Sequence, residues 1–338
     1  MAGFLLRHTG LRRLCTFAAL ALVCAVAIVL VPLALLVGRG GQARTARFAA
    51  FAGAYLGAEL AGLAGAARLR RDDRERHYAL LARLLARLLR TSQRAFRLRV
   101  STPDGECAVP DGPLIVLSRH AGPGDSFLLA YALLALGRHP RIVAKETLRL
   151  DPLIDVVLGR TPNCFVGHSE PARAAAADCI GTLSATLGPR DALVIFPEGG
   201  NFTTARRSRL IHRLHRRRDR AALSTAASLS HVLPPRPSGV FAAIDAAPAD
   251  SRVVFLAHTG LDHLETVAET WRAVPLGEPL RFTWWDVGLS QIPAEEDARQ
   301  AWLNGQWERI DAWLDLRHDE LAAQRVRDAL TTGRAPSA

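Results

Sequence analysis

The sequence is short of lysine, aromatic residues and paired cysteines, and each shortage excludes something. Lys145 is the only lysine in 338 residues, so the formal net charge of +11 is carried almost entirely by arginine. A bias of that kind follows from arginine-rich codon usage as readily as from function. Physically, it attracts anionic lipid, phosphate-bearing co-substrates or nucleic acid without choosing among them. Five cysteines (Cys15, Cys24, Cys107, Cys164, Cys179) show no CxxC spacing. No zinc site and no disulfide framework is therefore expected, which suits a reducing compartment. Aromatics make up 6% against a hydrophobic total of 49%, so alanine, leucine and valine must build the core. There is no internal repeat, no serine elbow of the covalent hydrolases, and nothing that calls for a metal or a bound cofactor.

What is abundant comes first at the N-terminus. Residues 14–37 contain no charge, only Thr16 and Pro32 interrupting an Ala/Leu/Val/Ile run. Such a run can cross the ~30 Å hydrocarbon core at ~1.5 Å per residue. It exceeds the ~7–15 residues of a signal peptide's apolar region and ends without a cleavage site, so an anchor is expected rather than a cleaved signal. A second apolar stretch, residues 48–67, contains Glu59 and reads as a second span, a re-entrant helix or an interfacial one. Arginines lie on both sides of the first run, so the positive-inside rule does not orient it. An inside-starting hairpin and an outside-starting single span both leave the remainder of the chain on the cytoplasmic face of the membrane. Residues 1–70 are accordingly assigned to the anchor. Over residues 71–100 the segment YALLARLLARLLR carries a leucine stripe flanked by Arg83, Arg87 and Arg90. It reads equally as a basic amphipathic helix on an anionic membrane or as a helix packed on the globular domain.

From about residue 110, short β-rich runs alternate with helical ones. Strands are expected at 114–117, 141–144, 192–196, 253–257 and 280–285, and helices at 126–136, 171–187 and from 293 to about 324. Ser169 before Glu170-Pro171 makes a reasonable helix start. The alternation predicts an α/β domain, a sheet flanked by helices, over residues 101–325, with a disordered tail at 326–338.

Two loops carry the chemistry. The first expected strand runs into Ser118-Arg119-His120-Ala121-Gly122-Pro123-Gly124-Asp125. Five residues on a continuous helix is about 500°, which points two side chains apart. The intervening Gly-Pro-Gly lets the chain fold back, so Asp125 can begin the next helix and accept the Nδ1–H of His120. That fixes the tautomer and supports the imidazolium formed when Nε2 takes a proton. The simplest use is direct deprotonation of a substrate hydroxyl. The strand at 192–196 ends in Pro197-Glu198-Gly199-Gly200-Asn201. A carboxylate followed by two glycines at a strand end marks close approach of backbone to a ligand, with Glu198 bonding an acceptor hydroxyl or orienting a basic residue.

Taken together, His120-x4-Asp125 and Phe196-Pro197-Glu198-Gly199 resemble the glycerolipid acyltransferase family that includes the 1-acylglycerol-3-phosphate acyltransferases. Residues 159–168 occupy the place of that family's intermediate block, and Val232-Leu233-Pro234-Pro235-Arg236 resembles its later proline-containing block; the likeness covers roughly residues 95–260. It implies His120 as general base, Asp125 as its orienting partner, and Glu198 and Gly199 as acceptor-binding residues. It also implies an α/β fold holding an acyl chain in an apolar tunnel or groove, and acyl-CoA or acyl carrier protein as co-substrate. The acceptor it implies is a glycerol-phosphate or lysophospholipid. Two departures concern the acceptor: the family's intermediate arginine is replaced by His168, leaving His168 or Arg160 to substitute, and Gly200-Asn201 follows the Glu-Gly pair. Arg119, Arg206 and Arg207 complete the candidate binding residues.

Arg206 opens a dense basic run through Arg220 that can meet lipid headgroups, coenzyme A phosphates or an acidic carrier protein. The run has neither interleaved aromatics nor a recognisable reading motif, which argues against nucleic acid as partner. The six tryptophans are expected in core or membrane-facing packing. Against the enzyme stands one rival, a non-catalytic membrane-tethered basic lipid-binding module; a narrower alternative keeps the chemistry on another lipid or glycolipid acceptor.

Overall fold

The computed structural model describes residues 6, 8–37, 42–103, 108–122, 124–167, 170–262, 264 and 266–332. Helix α1 (Thr9–Val37) is the charge-free run and α2 (Gln42–Arg68) the second apolar stretch. Both are long and apolar enough to cross a membrane. On α1, Leu14, Leu22 and Ile28 stay exposed, as apolar side chains do when nothing in the protein covers them. The stretch around 48–67 is one unbroken helix whose single acid is accommodated by capping: Glu59 is buried and accepts the Leu153 N–H at 3.2 Å.

Helix α3 (Arg74–Ala95) decides between the two expectations for the leucine stripe. Leu80, Leu84 and Leu85 are buried and pack on α2 and on the following domain, while Arg83, Arg87 and Arg90 face outward. The stripe is therefore internal rather than laid on a membrane surface, because α2 supplies an apolar partner that the sequence pattern alone does not reveal.

The remaining elements are β1 (Leu114–Ser118), α4 (Asp125–Ala135), β2 (His139–Lys145), α5 (Pro152–Leu158), β3 (Cys164–Val166), α6 (Glu170–Ala185), β4 (Asp191–Ile195), α7 (Thr204–Arg217), α8 (Arg220–Ser228), α9 (Pro237–Ala246), β5 (Arg252–Thr259), α10 (Val267–Ala273), β6 (Arg281–Gly288) and α11 (Glu296–Thr332). They form a six-stranded sheet ordered β3-β2-β4-β1-β5-β6. Neighbours are parallel except the β5–β6 pair. Central β1 is buried along its whole length, as a parallel strand covered on both faces must be. Alternate residues face opposite layers. Ile115, Leu117, Leu193, Ile195, Val253 and Phe255 meet α6, α9 and the Leu303-Trp307-Ile310-Leu314 stripe of α11. Leu114, Val116, Val194 and Val254 meet Leu129 and Leu133 of α4. Trp307 is fully buried in this core.

Three expectations are corrected. Cys164 of β3 and Cys179 of α6 are joined as a disulfide, since α6 packs back on the strand and brings their Cα atoms to 6.1 Å, a distance the sequence separation does not disclose. β3 itself is too short for periodicity to find. The last helix continues to Thr332, beyond residue 326, because the Ala/Leu/Arg-rich segment sustains helix without a breaker. The expected helix start at Ser169 lies outside the described residues.

Candidate active site

All four strand ends β1, β2, β3 and β4 open in one direction, since these strands are parallel. In open α/β sheets this edge is where ligands bind, because loops there converge from several strands. The loop after β1 carries His120 to this edge, and Asp125 stands at the first turn of α4. His120 Nδ1 lies 3.2 Å and 3.1 Å from the two Asp125 carboxylate oxygens. The carboxylate also accepts backbone N–H groups of Ala121 (2.7 Å), Gly122 (3.0 Å) and Ser126 (3.0 Å). Burial would push the Asp125 carboxyl up, but the hydrogen bond from His120, the His258 and His120 rings and the Gly122 N–H together hold it below the ordinary range. A carboxylate so held keeps the proton of His120 on Nδ1 and leaves Nε2 as an acceptor. Phe196 packs on the imidazole, ring centroids 4.5 Å apart.

Of the two expected parts for Glu198, the structure favours the holding of a basic residue, His120, through its backbone. The Glu198 side chain is 2% exposed; Oε1 accepts the His120 N–H at 2.8 Å and Oε2 the Leu233 N–H at 2.9 Å. Rather than facing an acceptor, it ties the loops after β1 and β4 to the proline-containing segment. Phe202 N–H adds a bond to the His120 carbonyl at 2.6 Å, and Arg236 N–H one to the Pro197 carbonyl at 3.0 Å. Burial drives the Glu198 carboxyl up to about 7, outweighing the Leu233 N–H, the Arg119 charge and the His120 N–H.

A cavity of about 860 Å³ begins at this edge. One part is lined by His120, Gly199, Gly200, Asn201 and the cationic Lys145, Arg206 and Arg236. The rest is mainly apolar and runs among Leu81, Leu84, Leu85 and Leu88 of α3, Phe127 and Ala130 of α4, Ile154 and Val157 of α5, and Ala58 of α2, with Tyr55, Glu59, Ser126 and Ser238 the polar members. Gly199 has φ +68°, and an added Cβ would sit 2.7 Å from the Arg236 guanidinium. Glycine thus lets the guanidinium lie directly over the turn. Arg206 also donates to the Asn201 carbonyl at 3.0 Å. Partial burial first, then the charges of Arg206 and Arg236, lower the pKa of Lys145.

The other expected binding residues lie elsewhere. Arg119 is buried, held by Asp262 at 2.6 Å and by the His258 carbonyl at 2.6 Å, and does not line the cavity. Its pairing with Asp262, more than a hundred residues away, is a tertiary fact. Arg207 bonds the Leu229 carbonyl at 2.6 Å and that of Ala227 at 3.0 Å, so it joins α7 to the end of α8. Arg160, after α5, donates to the Ala66 carbonyl on α2. His168 lies outside the described residues. Sequence reasoning overlooks Lys145 and Arg236 as site residues, although one is the lone lysine at a strand end and the other closes the Pro-Pro segment. It also overlooks His258 of β5, fully buried, whose Nε2 lies 3.2 Å from the Arg119 carbonyl and 3.6 Å from Asp125. Desolvation keeps this ring's pKa below the ordinary value against the pull of Asp125.

A mainly parallel buried sheet, a His–Asp pair at its ligand-binding edge and an apolar cavity leading from it define the class as an α/β domain with a candidate general-base site behind an apolar two-helix element. The acyltransferase family model matches residues 99–255. Over these residues the chain matches an acyltransferase domain, which supports acyl transfer as the reaction class. Among solved structures it is similar to the 1-acyl-sn-glycerophosphate (LPA) acyltransferase PlsC from Thermotoga maritima, with 16% identity and a TM-score of 0.49 over 75% of this chain and 87% of that one. No curated protein sequence matches.

Proposed function

We propose that the protein is a membrane-bound O-acyltransferase that moves a fatty acyl group from acyl-CoA or acyl carrier protein to a hydroxyl of a glycerol-phosphate or lysophospholipid acceptor in phospholipid synthesis, with its catalytic domain on the cytoplasmic face. The observation that carries this reading is the single cavity that joins His120, three cations and a long apolar lining. An amphiphile with a phosphate head and a hydrocarbon chain matches that division. In this reading the acceptor oxygen attacks the thioester carbonyl while its proton passes to His120 Nε2. The C–S bond then breaks, and the thiolate recovers the proton as the ester forms, without an acyl-enzyme. Asp125 stabilises the transient imidazolium. Lys145, Arg206 and Arg236 take the acceptor phosphate, Gly199 and Gly200 giving the guanidiniums room. The apolar lining from α2 to α5 takes the acyl chain.

The test is acyl transfer from labelled acyl-CoA and acyl carrier protein in membranes bearing wild type or His120→Ala, offered glycerol 3-phosphate, lysophosphatidic acid and other lysolipids. Product with the wild type alone is expected, His120→Ala losing about 10³–10⁴-fold. No product with any donor and acceptor, beside intact salt-sensitive binding to anionic vesicles, would establish the non-catalytic lipid-binding module instead.

A further inference from the structure

Away from the cavity, a second hollow of about 460 Å³ is lined by Arg13, Arg71, Arg74 and Arg160, with Asp72 the one acid. Its arginines come from four places in the chain: the start of α1, the turn after α2, the first residue of α3 and the loop after α5. Burial and then the charges of Arg71 and Arg13 depress the pKa of Arg160, as mutually repelling neighbours do. Little local negative charge offsets the cluster. Asp155 is already taken by Arg12 at 2.8 Å and Arg13 at 2.7 Å, and Asp72 pairs with Arg70 at 3.2 Å on the open surface. Among the described residues, no carboxylate lies within ion-pair distance of Arg71, Arg74 or Arg160. Arg13 spends only its Nε on Asp155, leaving its terminal nitrogens to the hollow.

The position selects the ligand. The start of α1 is pinned to α5 by Arg12 and Arg13, and the end of α2 is pinned just beyond α5 by the Arg160–Ala66 bond. The two apolar helices therefore form a hairpin whose open end is this hollow, and the uncharged run begins one residue after Arg13. Where apolar helix gives way to arginine is the level at which headgroup phosphates lie in a bilayer. Guanidiniums are suited to phosphate by fork geometry as well as charge. We infer that this hollow binds a phosphate group, and that its source is the headgroup of an anionic membrane phospholipid held beside the α1–α2 hairpin, separate from the reacting lipids. The inference rests on the membrane association proposed above but not on the catalytic assignment.

The test uses the full chain purified in maltoside micelles, with thermal stability followed as phosphatidylglycerol, phosphatidylcholine or inorganic phosphate is titrated. Phosphatidylglycerol is expected to raise the Tm of the wild type, and the other two to do so far less. Arg71→Gln with Arg74→Gln should shift the phosphatidylglycerol midpoint about thirtyfold upward, each arginine contributing roughly fivefold at an anionic surface. Both arginines are exposed, so the lipid-free Tm should stay at the wild-type value. The Arg71→Lys, Arg74→Lys pair, which keeps the charge, should retain most of the response, and Arg216→Gln with Arg217→Gln on α7 should leave the midpoint in place. An unchanged midpoint in the Arg71/Arg74 double variant, or its loss in the α7 variant instead, overturns the site. Equal stabilisation by inorganic phosphate overturns the lipid as the source. Because no turnover is read, failure here is separable from failure of the acyl-transfer reaction.

Discussion

Glu198→Gln is the perturbation that most directly probes how the reacting histidine is held. In the wild type the buried carboxyl accepts the His120 and Leu233 N–H groups, and its pKa stands near 7 against an ordinary 4.5. A folded-state pKa raised above the unfolded one contributes stability that is full below about pH 4.5 and is lost as pH rises through about 7. At 1.36 kcal/mol per unit the loss amounts to about 3 kcal/mol. Glutamine carries no such dependence, but its amide nitrogen must face one of the two N–H donors, which costs about 1–3 kcal/mol at every pH. The wild type should therefore exceed Glu198→Gln in stability at pH 5, and the gap should close or reverse by pH 8. His258 has a lowered pKa and contributes in the opposite sense, its stabilising effect being lost as pH falls; present in both proteins, it cancels in the difference. About 2.5 kcal/mol of that loss falls between pH 5 and pH 8, so at about 2–4 °C per kcal/mol for a domain of 150–250 residues the difference in apparent Tm should move by roughly 5–10 °C. Tryptophan fluorescence melts in maltoside micelles would measure it, paired with acyl-transfer rates, which should fall because the His120 backbone loses an anchor. A constant Tm gap across the range would refute the account of Glu198 as a buried, titrating clamp.

Two further outcomes follow from the cavity. Gly199→Ala places a Cβ at a positive-φ position and 2.7 Å from the Arg236 guanidinium; about 1–2 kcal/mol of backbone strain is expected, together with a raised KM for a phosphorylated acceptor and an unchanged KM for the acyl donor. Ala130→Phe, at a buried position on the apolar lining, should move acyl-donor preference toward shorter chains at a packing cost of about 1–3 kcal/mol, read from a chain-length series with one acceptor.

Much of the scaffold follows from local pattern. The strand around residues 114–117 and that around 192–196 declare themselves through β-branched runs bounded by turn residues, and the uncharged run of α1 through length alone. The geometry of His120 and Asp125 is also legible, since a Gly-Pro-Gly turn can bring together two side chains that a helix would separate. That information is local, fixed by backbone preference and hydrophobic period. The allocation of charged side chains is not. Glu198, Arg119, Arg160 and Arg207 look alike as candidates in the sequence, yet each is bonded to residues far from it in the chain or across separate elements, while Lys145 and Arg236 line the cavity. A charged group goes where its desolvation is offset, and the offset comes from partners that only the folded chain brings near. The leucine stripe of α3 is open to two readings for the same reason: its period determines a helix with one apolar face, and the position of α2 determines what that face covers.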